Sequence, residues 1–252
     1  MTPVIKIGGN VLDNPDVLSG VLDRCAALGN PFVLVHGGGV LATRLADRMG
    51  VAQEMVDGRR VTSAETLEIV TMTYGGLVNK SLVAKLQQRG VNCVGITGAD
   101  GNLVRAHRRP VGTVDYGYVG DVDEVNASFL TLLLSNNISI VVAPLTHNGM
   151  GELLNTNADT MCAEIAIALQ RNAQVTLHIV FEHKGILLSM SDERSVLATL
   201  HADEVPGLIE RGILSRGMLP KVHNAIRAAQ SGVRVVIQHA NDLGTESGTW
   251  VQ

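Results

Sequence analysis

Apolar residues along this chain occur in two patterns. Short unbroken runs, such as Val4-Ile5-Lys6-Ile7 and Pro31-Phe32-Val33-Leu34-Val35, alternate with longer stretches in which apolar residues recur every three or four positions. Unbroken runs of this length suit strands buried on both faces, and the recurring stripes suit helices that cover a sheet. Asn14-Pro15 places an N-cap before a proline at the first helical position. Val17, Leu18, Val21, Leu22, Cys25 and Leu28 then form one stripe, which stops at Gly29. A second stripe, Leu41, Leu45 and Met49, stops at Gly50. Thr62-Ser63-Ala64-Glu65 has the form of a capping box. It opens a long helical stretch carrying Leu67, Val70, Tyr74, Leu77, Leu82 and Leu86. Gly75-Gly76 bends that stretch or admits a close neighbour, and Gly90 ends it.

The alternation continues to the end of the chain. Residues 91–97 read as a strand ending in Gly98-Ala99-Asp100-Gly101, and the Val-, Gly- and Tyr-rich stretch 102–125 reads as hairpins. Asn126 caps a helix that runs to Leu134, residues 138–145 form one buried strand, and Asn157 caps a helix carrying Met161, Ile165 and Leu169. Residues 174–181 form a strand, followed by a turn at His183-Lys184-Gly185 and another short strand. A helix over 203–211 starts weakly because of Pro206-Gly207, 221–231 is helical, 233–238 is a strand, and 248–251 closes the sheet. This order predicts an α/β fold, a three-layer α/β/α sandwich around a mainly parallel open sheet. Arg171-Asn172-Ala173 separates a helix from a strand, so two lobes would divide there, as residues 1–173 and 174–252.

Composition narrows the classes. Hydrophobic residues make up 46% but aromatic ones only 3%, so the core is aliphatic. A net charge of −4 without a basic block argues against nucleic-acid binding. Cys25, Cys93 and Cys162 are too scattered for a disulfide framework or a zinc site, which fits a reducing cytoplasm. The first strand begins by about residue 3, which leaves no room for a signal peptide. The longest apolar run, 138–145, is too short to span a membrane. Neither GxxxxGK[ST] nor a GxGxxG after a strand is present, which excludes a P-loop enzyme and argues against a dinucleotide dehydrogenase.

The chemistry gathers at two glycine-ended strands. The first strand ends in Gly8-Gly9 and the second in His36-Gly37-Gly38-Gly39. In an open parallel sheet such ends meet at the ligand crevice, and glycine lets backbone N–H groups approach an anion. Lys6 is either an ammonium paired with an anion or an edge-strand lysine that reaches solvent. The three glycines after His36 either hold an anion or make a tight turn, and His36 at a strand end reads as structural. Arg59-Arg60 is either a carboxylate-gripping fork or a solvated pair. In Asn155-Thr156-Asn157-Ala158-Asp159, Asp159 is either a first-turn acid favoured by the helix dipole or a group that positions lysines. Lys221 follows Gly217-Met218-Leu219-Pro220 and sits at a helix start, where a cation opposes the dipole unless an anion lies beside it.

In this order the motifs resemble the amino acid kinase family across nearly the whole chain. The resemblance rests on Ile5-Lys6-Ile7-Gly8-Gly9, Val35-His36-Gly37-Gly38-Gly39, Gly58-Arg59-Arg60-Val61-Thr62, Asn79-Lys80 and Gly98-Ala99-Asp100-Gly101. It continues through Val119-Gly120-Asp121-Val122, Asn155-Thr156-Asn157-Ala158-Asp159 and Gly217-Met218-Leu219-Pro220-Lys221-Val222. The arginine in G-x-R-V-T is similar to that of the branch acting on acetylglutamate rather than on carbamate or aspartate. The resemblance implies ATP-dependent phosphorylation of the γ-carboxylate of N-acetyl-L-glutamate, in arginine biosynthesis. N-succinyl-L-glutamate, or a catalytically weak ligand-sensing role, is the alternative. It also implies that Lys6 and Lys221 neutralise the transferring phosphoryl group and that Asp159 holds both lysines. Gly38, Gly39, Arg60 and Asn155 would bind the acyl-amino acid, and Gly8, Gly9, Glu182, Gly185 and Gly217 the nucleotide. The N-terminal lobe would bind the acyl-amino acid and dimerise, and the C-terminal lobe would bind ATP. Mg²⁺ would arrive on the phosphates, since no carboxylate cluster suggests a protein-built cage. Relatives carry Ser/Thr-Asp where this chain has Phe181-Glu182-His183-Lys184-Gly185, glycine at the position of Arg216, and a longer segment around 241–246. Arginine-inhibited relatives carry an N-terminal helix that joins dimers into a hexamer. A chain that opens on its first strand is expected to be a homodimer without that feedback.

Overall fold

A computed structural model describes residues 1–56, 59–215 and 217–252. Its strands are β1 (Thr2–Ile7), β2 (Val33–His36), β3 (Met55–Val56), β4 (Arg59–Arg60), β5 (Cys93–Ile96), β6 (Val104–Arg108) and β7 (Gly120–Val125), followed by β8 (Ser139–Val142), β9 (Leu145–His147), β10 (Leu153–Asn155), β11 (Val175–Phe181), β12 (Thr199–Leu200), β13 (Arg234–His239) and β14 (Thr249–Val251). Its α-helices are α1 (Gly9–Asp13), α2 (Pro15–Ala27), α3 (Gly39–Met49), α4 (Ala64–Val70), α5 (Asn79–Gln88), α6 (Ala127–Ser135), α7 (Ala158–Gln170), α8 (Val205–Glu210) and α9 (Leu219–Gln230).

The main sheet runs in the order β12-β14-β13-β11-β1-β2-β8-β5. The strands from β13 to β5 are parallel, and β14 runs antiparallel to β13. The chain leaves β1 towards β2 on one side and leaves β11 towards β13 on the other. A crevice therefore opens beyond the carboxyl ends of β1 and β11, at the switch point where open α/β sheets bind ligands. The sheet is continuous across residues 173–174, because β1 lies between β2 and β11.

Each central strand feeds two cores by simple alternation. Val4, Val33 and Val35 pack with α7 and α9 residues such as Met161, Ile165 and Val222. Ile5, Ile7 and Leu34 pack on the other face with Leu22, Leu82 and Leu86. Lys6 lies two residues beyond Val4, so the period of two points it to the α7 face. Local caps follow the sequence: the Asn14, Asn126 and Asn157 side chains accept hydrogen bonds from the first turns of α2, α6 and α7.

Several expectations are corrected. Residues 138–145 are not one strand. They divide at Ala143-Pro144 into β8 of the main sheet and β9 of a second sheet, ordered β10-β9-β6-β7, because proline cannot continue a central ladder. Ser63, not Thr62, caps α4, through Thr66 N–H at 3.1 Å, so the Thr62/Glu65 box does not form. In α3 the deepest residues are Ala42 and Ala46, while Met49 is exposed; a helix seated close against its neighbours buries its small face. The turn after β11 leads to a single bridge, Leu187 to Val196, rather than a strand, and β12 lies outside β14 at the sheet edge. The short helix α1 was not anticipated. Gly75-Gly76 falls within a π-helix, Thr71–Val78, that joins α4 to α5. Gly58 and Arg216 lie outside the described residues.

Candidate active site

The chemistry at the crevice starts with one carboxylate and two ammonium groups. Asn157 caps α7 through Thr160 N–H at 3.0 Å, which sets Asp159 in the first turn and turns its side chain towards β1. Lys6 Nζ lies 2.8 Å from Asp159 Oδ1, and Lys221 Nζ lies 3.6 Å from Oδ2. Lys6 is 4% exposed and Asp159 is 8% exposed. Because β1 is a central strand, the edge-strand reading of Lys6 fails. Lys221 is the third residue of α9, a helix with Pro220 in its first turn and no side-chain cap. Burial opposes ionisation of Asp159, but Lys6 first and then Lys221 outweigh it and hold the carboxyl below its ordinary range. Two cations on one anion leave a net positive charge at a helix start, an arrangement suited to an incoming phosphoryl group.

On the β11 side this triangle borders a cleft of about 440 Å³. Lys6, Gly8, Gly9, Glu182, Gly217 and Lys221 line it, together with Phe181, His183, Met190 and Ile213. The rings of Phe181 and His183 meet edge to face, with centroids 5.5 Å apart. Gly185 does not line the cleft. A Cβ there would lie 2.6 Å from Thr249 Oγ1, so Gly185 serves the packing of its turn on β14.

On the β2 side lies a second pocket, of about 190 Å³, lined by Gly37, Gly38, Gly39, Arg60, Tyr74 and Asn155 among others. The two strand ends touch: Gly37 N–H donates to Ile7 O at 3.1 Å. Gly38 has φ of 153°, and a Cβ there would come within 2.8 Å of the Tyr74 ring, so only glycine fits. Arg59 and Arg60 part company. Arg59 is exposed, whereas Arg60 is 8% exposed. Arg60 Nη2 donates to Gly39 O and to Thr43 Oγ1, both at 2.9 Å, and Nη1 donates to Gln53. Asn155 Nδ2 donates to Thr62 Oγ1 at 3.0 Å. His36 is fully buried. Its Nδ1 is 2.7 Å from Gly37 O and its Nε2 is 3.3 Å from Asn79 Nδ2, which assigns the proton to Nδ1. Burial pushes its pKa down to about 4, against a smaller upward effect of the Gly37 carbonyl, so the ring is neutral and braces the turn.

Tyr74 and Arg109 are among the lining residues that the sequence does not mark as functional. Tyr74 was seen only as part of a helical stripe, yet the π-helix turns its ring onto Gly38. Arg109 sat unremarked in the hairpin stretch, where the nearby Asp121 was its one local signal.

Residues 1–239 match the model of the amino acid kinase family. The chain is similar to the acetylglutamate kinase of Parabacteroides distasonis, 49% identical over 249 residues and covering 98% of each. It is also similar to that of Phocaeicola vulgatus, 48% identical over 250 residues, 99% of this chain and 97% of the relative. A solved structure from Streptococcus mutans superposes with a TM-score of 0.83 at 31% identity, covering 100% of this chain and 98% of that one.

Proposed function

This chain belongs to the amino acid kinase family, and on that premise we propose that it transfers the γ-phosphoryl group of ATP to the γ-carboxylate of N-acetyl-L-glutamate. The products are N-acetyl-L-glutamyl 5-phosphate and ADP, in arginine biosynthesis. The observation that carries this reading is the Lys6–Asp159–Lys221 triangle standing between two pockets. A carboxylate is already ionised and needs no general base. What the reaction requires is alignment and charge neutralisation along the line of transfer.

Lys6 and Lys221 are the catalytic cations, set against the oxygens of the transferring group, and Asp159 is the residue that positions them. Gly38 and Gly39 offer backbone donors to the acyl-amino acid, Arg60 grips its α-carboxylate, and Asn155 meets its acyl-amide end. Gly8, Gly9, Glu182 and Gly217 face the nucleotide. Residues 1–173 form the lobe for the acyl-amino acid and for dimerisation, and 174–252 the lobe for ATP. The lining of each pocket supports this division: the β2-side pocket draws on residues 37–158, and most of the β11-side cleft comes from 181–221. Mg²⁺ supplies further charge neutralisation while carried on ATP. The donors at the cleft, two ammonium groups and glycine amides, suit phosphate oxygens rather than a cation. Among the described residues no helix is long and apolar enough to cross a membrane, and we place the enzyme in the cytoplasm as a homodimer.

The test is formation of an acyl phosphate, trapped as a hydroxamate, from ATP and N-acetylglutamate. Product is expected with the acylated substrate and not with plain glutamate. No hydroxamate from any acylated glutamate would overturn the kinase reading, and light scattering at a single-chain mass would overturn the dimer.

A further inference from the structure

Asn79, of the Asn79-Lys80 motif, lines neither pocket and is completely buried where the π-helix meets α5. Its Nδ2 lies 3.0 Å from Val141 O, 3.5 Å from Ile96 O and 3.3 Å from His36 Nε2. Two carbonyl oxygens on that side require the amide nitrogen there, so His36 Nε2 accepts and the ring proton stands on Nδ1. Oδ1 has no partner among the described residues, a cost that an apolar residue would not carry. Room for the amide is made in the sheet: a Cβ at Gly95 of β5 would lie 2.1 Å from Asn79 Oδ1. Asn79 is therefore held for its nitrogen, and that nitrogen faces His36.

From His36 one peptide leads to the β2-side pocket. Nδ1 donates to Gly37 O at 2.7 Å. The Gly37 carbonyl and the Gly38 N–H belong to the same peptide unit, which is planar and trans, so fixing one aims the other in the opposite direction. Gly38 is one of the donors assigned to the acyl-amino acid. The π-helix completes the arrangement. Its bonds join residues five apart, and the Asn79 N–H closes such a bond on Tyr74 O. Tyr74 and Asn79 thus reach the glycine turn together, the ring against Gly38 and the amide against His36. An α-helical register makes neighbours of residues three and four apart and would turn one of the two away.

We propose that Asn79 is a positioning residue for the acyl-amino acid, acting through His36 and the Gly37–Gly38 peptide, and that the π-helix sets it and Tyr74 against the glycine turn in one register. The inference rests on the kinase reading and deepens it.

The experiment joins NMR of the histidine rings to kinetics, using the full chain. With His36→Gln to assign its signal, His36 is expected to carry its proton on Nδ1. N-acetylglutamate should move that Nδ1–H signal, and ATP alone should leave it in place. An Nε2–H ring, or a signal indifferent to N-acetylglutamate, overturns the proposal even if the variants fail to fold. Asn79→Ala is expected to raise KM for N-acetylglutamate roughly 10-fold, about the worth of one hydrogen bond, with kcat and the KM for ATP within about threefold. Gly95→Ala, at a residue that lines neither pocket, displaces the amide from its other side and raises the same KM. The double variant goes no further than the larger single one, because both act through one contact. Lowered stability with KM unmoved makes Asn79 structural only and overturns the proposal, as does a fall in kcat at unchanged KM. Either result in an enzyme that turns over N-acetylglutamate defeats this inference alone, whereas a parent chain that makes no acyl phosphate defeats the kinase reading with it.

Discussion

At the end of β2 the polar groups are held one by one: Arg60 by Gly39 and Thr43, Asn155 by Thr62, and His36 by Gly37 and Asn79. At the end of β1, one strand away, two ammonium groups share a single buried carboxylate. The first arrangement fixes donors in place before any ligand arrives, which suits selection of a shape. The second gathers positive charge beside the cleft, which suits the proposed passage of a phosphoryl group there. Binding energy and rate enhancement are thus assigned to adjacent strand ends, and substitutions should separate them.

The largest effect is expected at the carboxylate. Asp159→Asn leaves two lysines without their counter-ion, and breaking such a buried pair costs about 3–5 kcal/mol. Urea unfolding reads the loss of stability, and turnover should fall by roughly 100-fold or more, as for loss of preorganised charge. A variant as stable and active as the parent would break the comparison. Next comes pH. The unfolded chain protonates His36 near 6.5, whereas the folded chain resists until about 4. Stability should therefore be full above 6.5 and fall by about 3 kcal/mol as pH drops to 4, a limb that His36→Gln flattens in denaturation series. Asp159 behaves differently. Its lowered pKa protects the fold through that whole window, and its contribution disappears only in stronger acid, below the ordinary carboxylate value of 3.8. The smallest effect is at Arg60. Arg60→Lys loses the fork and should raise KM for N-acetylglutamate roughly 10-fold or more, while kcat stays within about threefold. A fall in kcat with unchanged KM would place Arg60 on the wrong side of the divide.

Much of this was legible in the sequence because it is local. The apolar runs of β1 and β2, the caps at Asn14, Asn126 and Asn157, and the stops at Gly50 and Gly90 depend on neighbours a few residues away. What was not legible depends on distant pairing. Whether Lys6 is solvated or buried is decided by β11, which lies beyond residue 174 and makes β1 central. The split of residues 138–145 turns on the second sheet, which takes β9 away after Pro144. Arg109 joins the pocket through a distant pairing, because Val119, just before β7, bridges Asn155 at the end of β10. The resemblance places Gly185 at the nucleotide, whereas it does not line the cleft and its turn packs against Thr249, some sixty residues away in the chain.

The central claim is that the triangle, rather than either pocket, supplies the rate. The direct test is Lys6→Ala, with kcat for N-acetylglutamate and the dissociation constant for ATP measured on the same preparation. The account predicts a loss in kcat of roughly 100-fold or more with ATP affinity within about threefold of the parent. Unchanged turnover, or a loss explained wholly by weaker ATP binding, would contradict it.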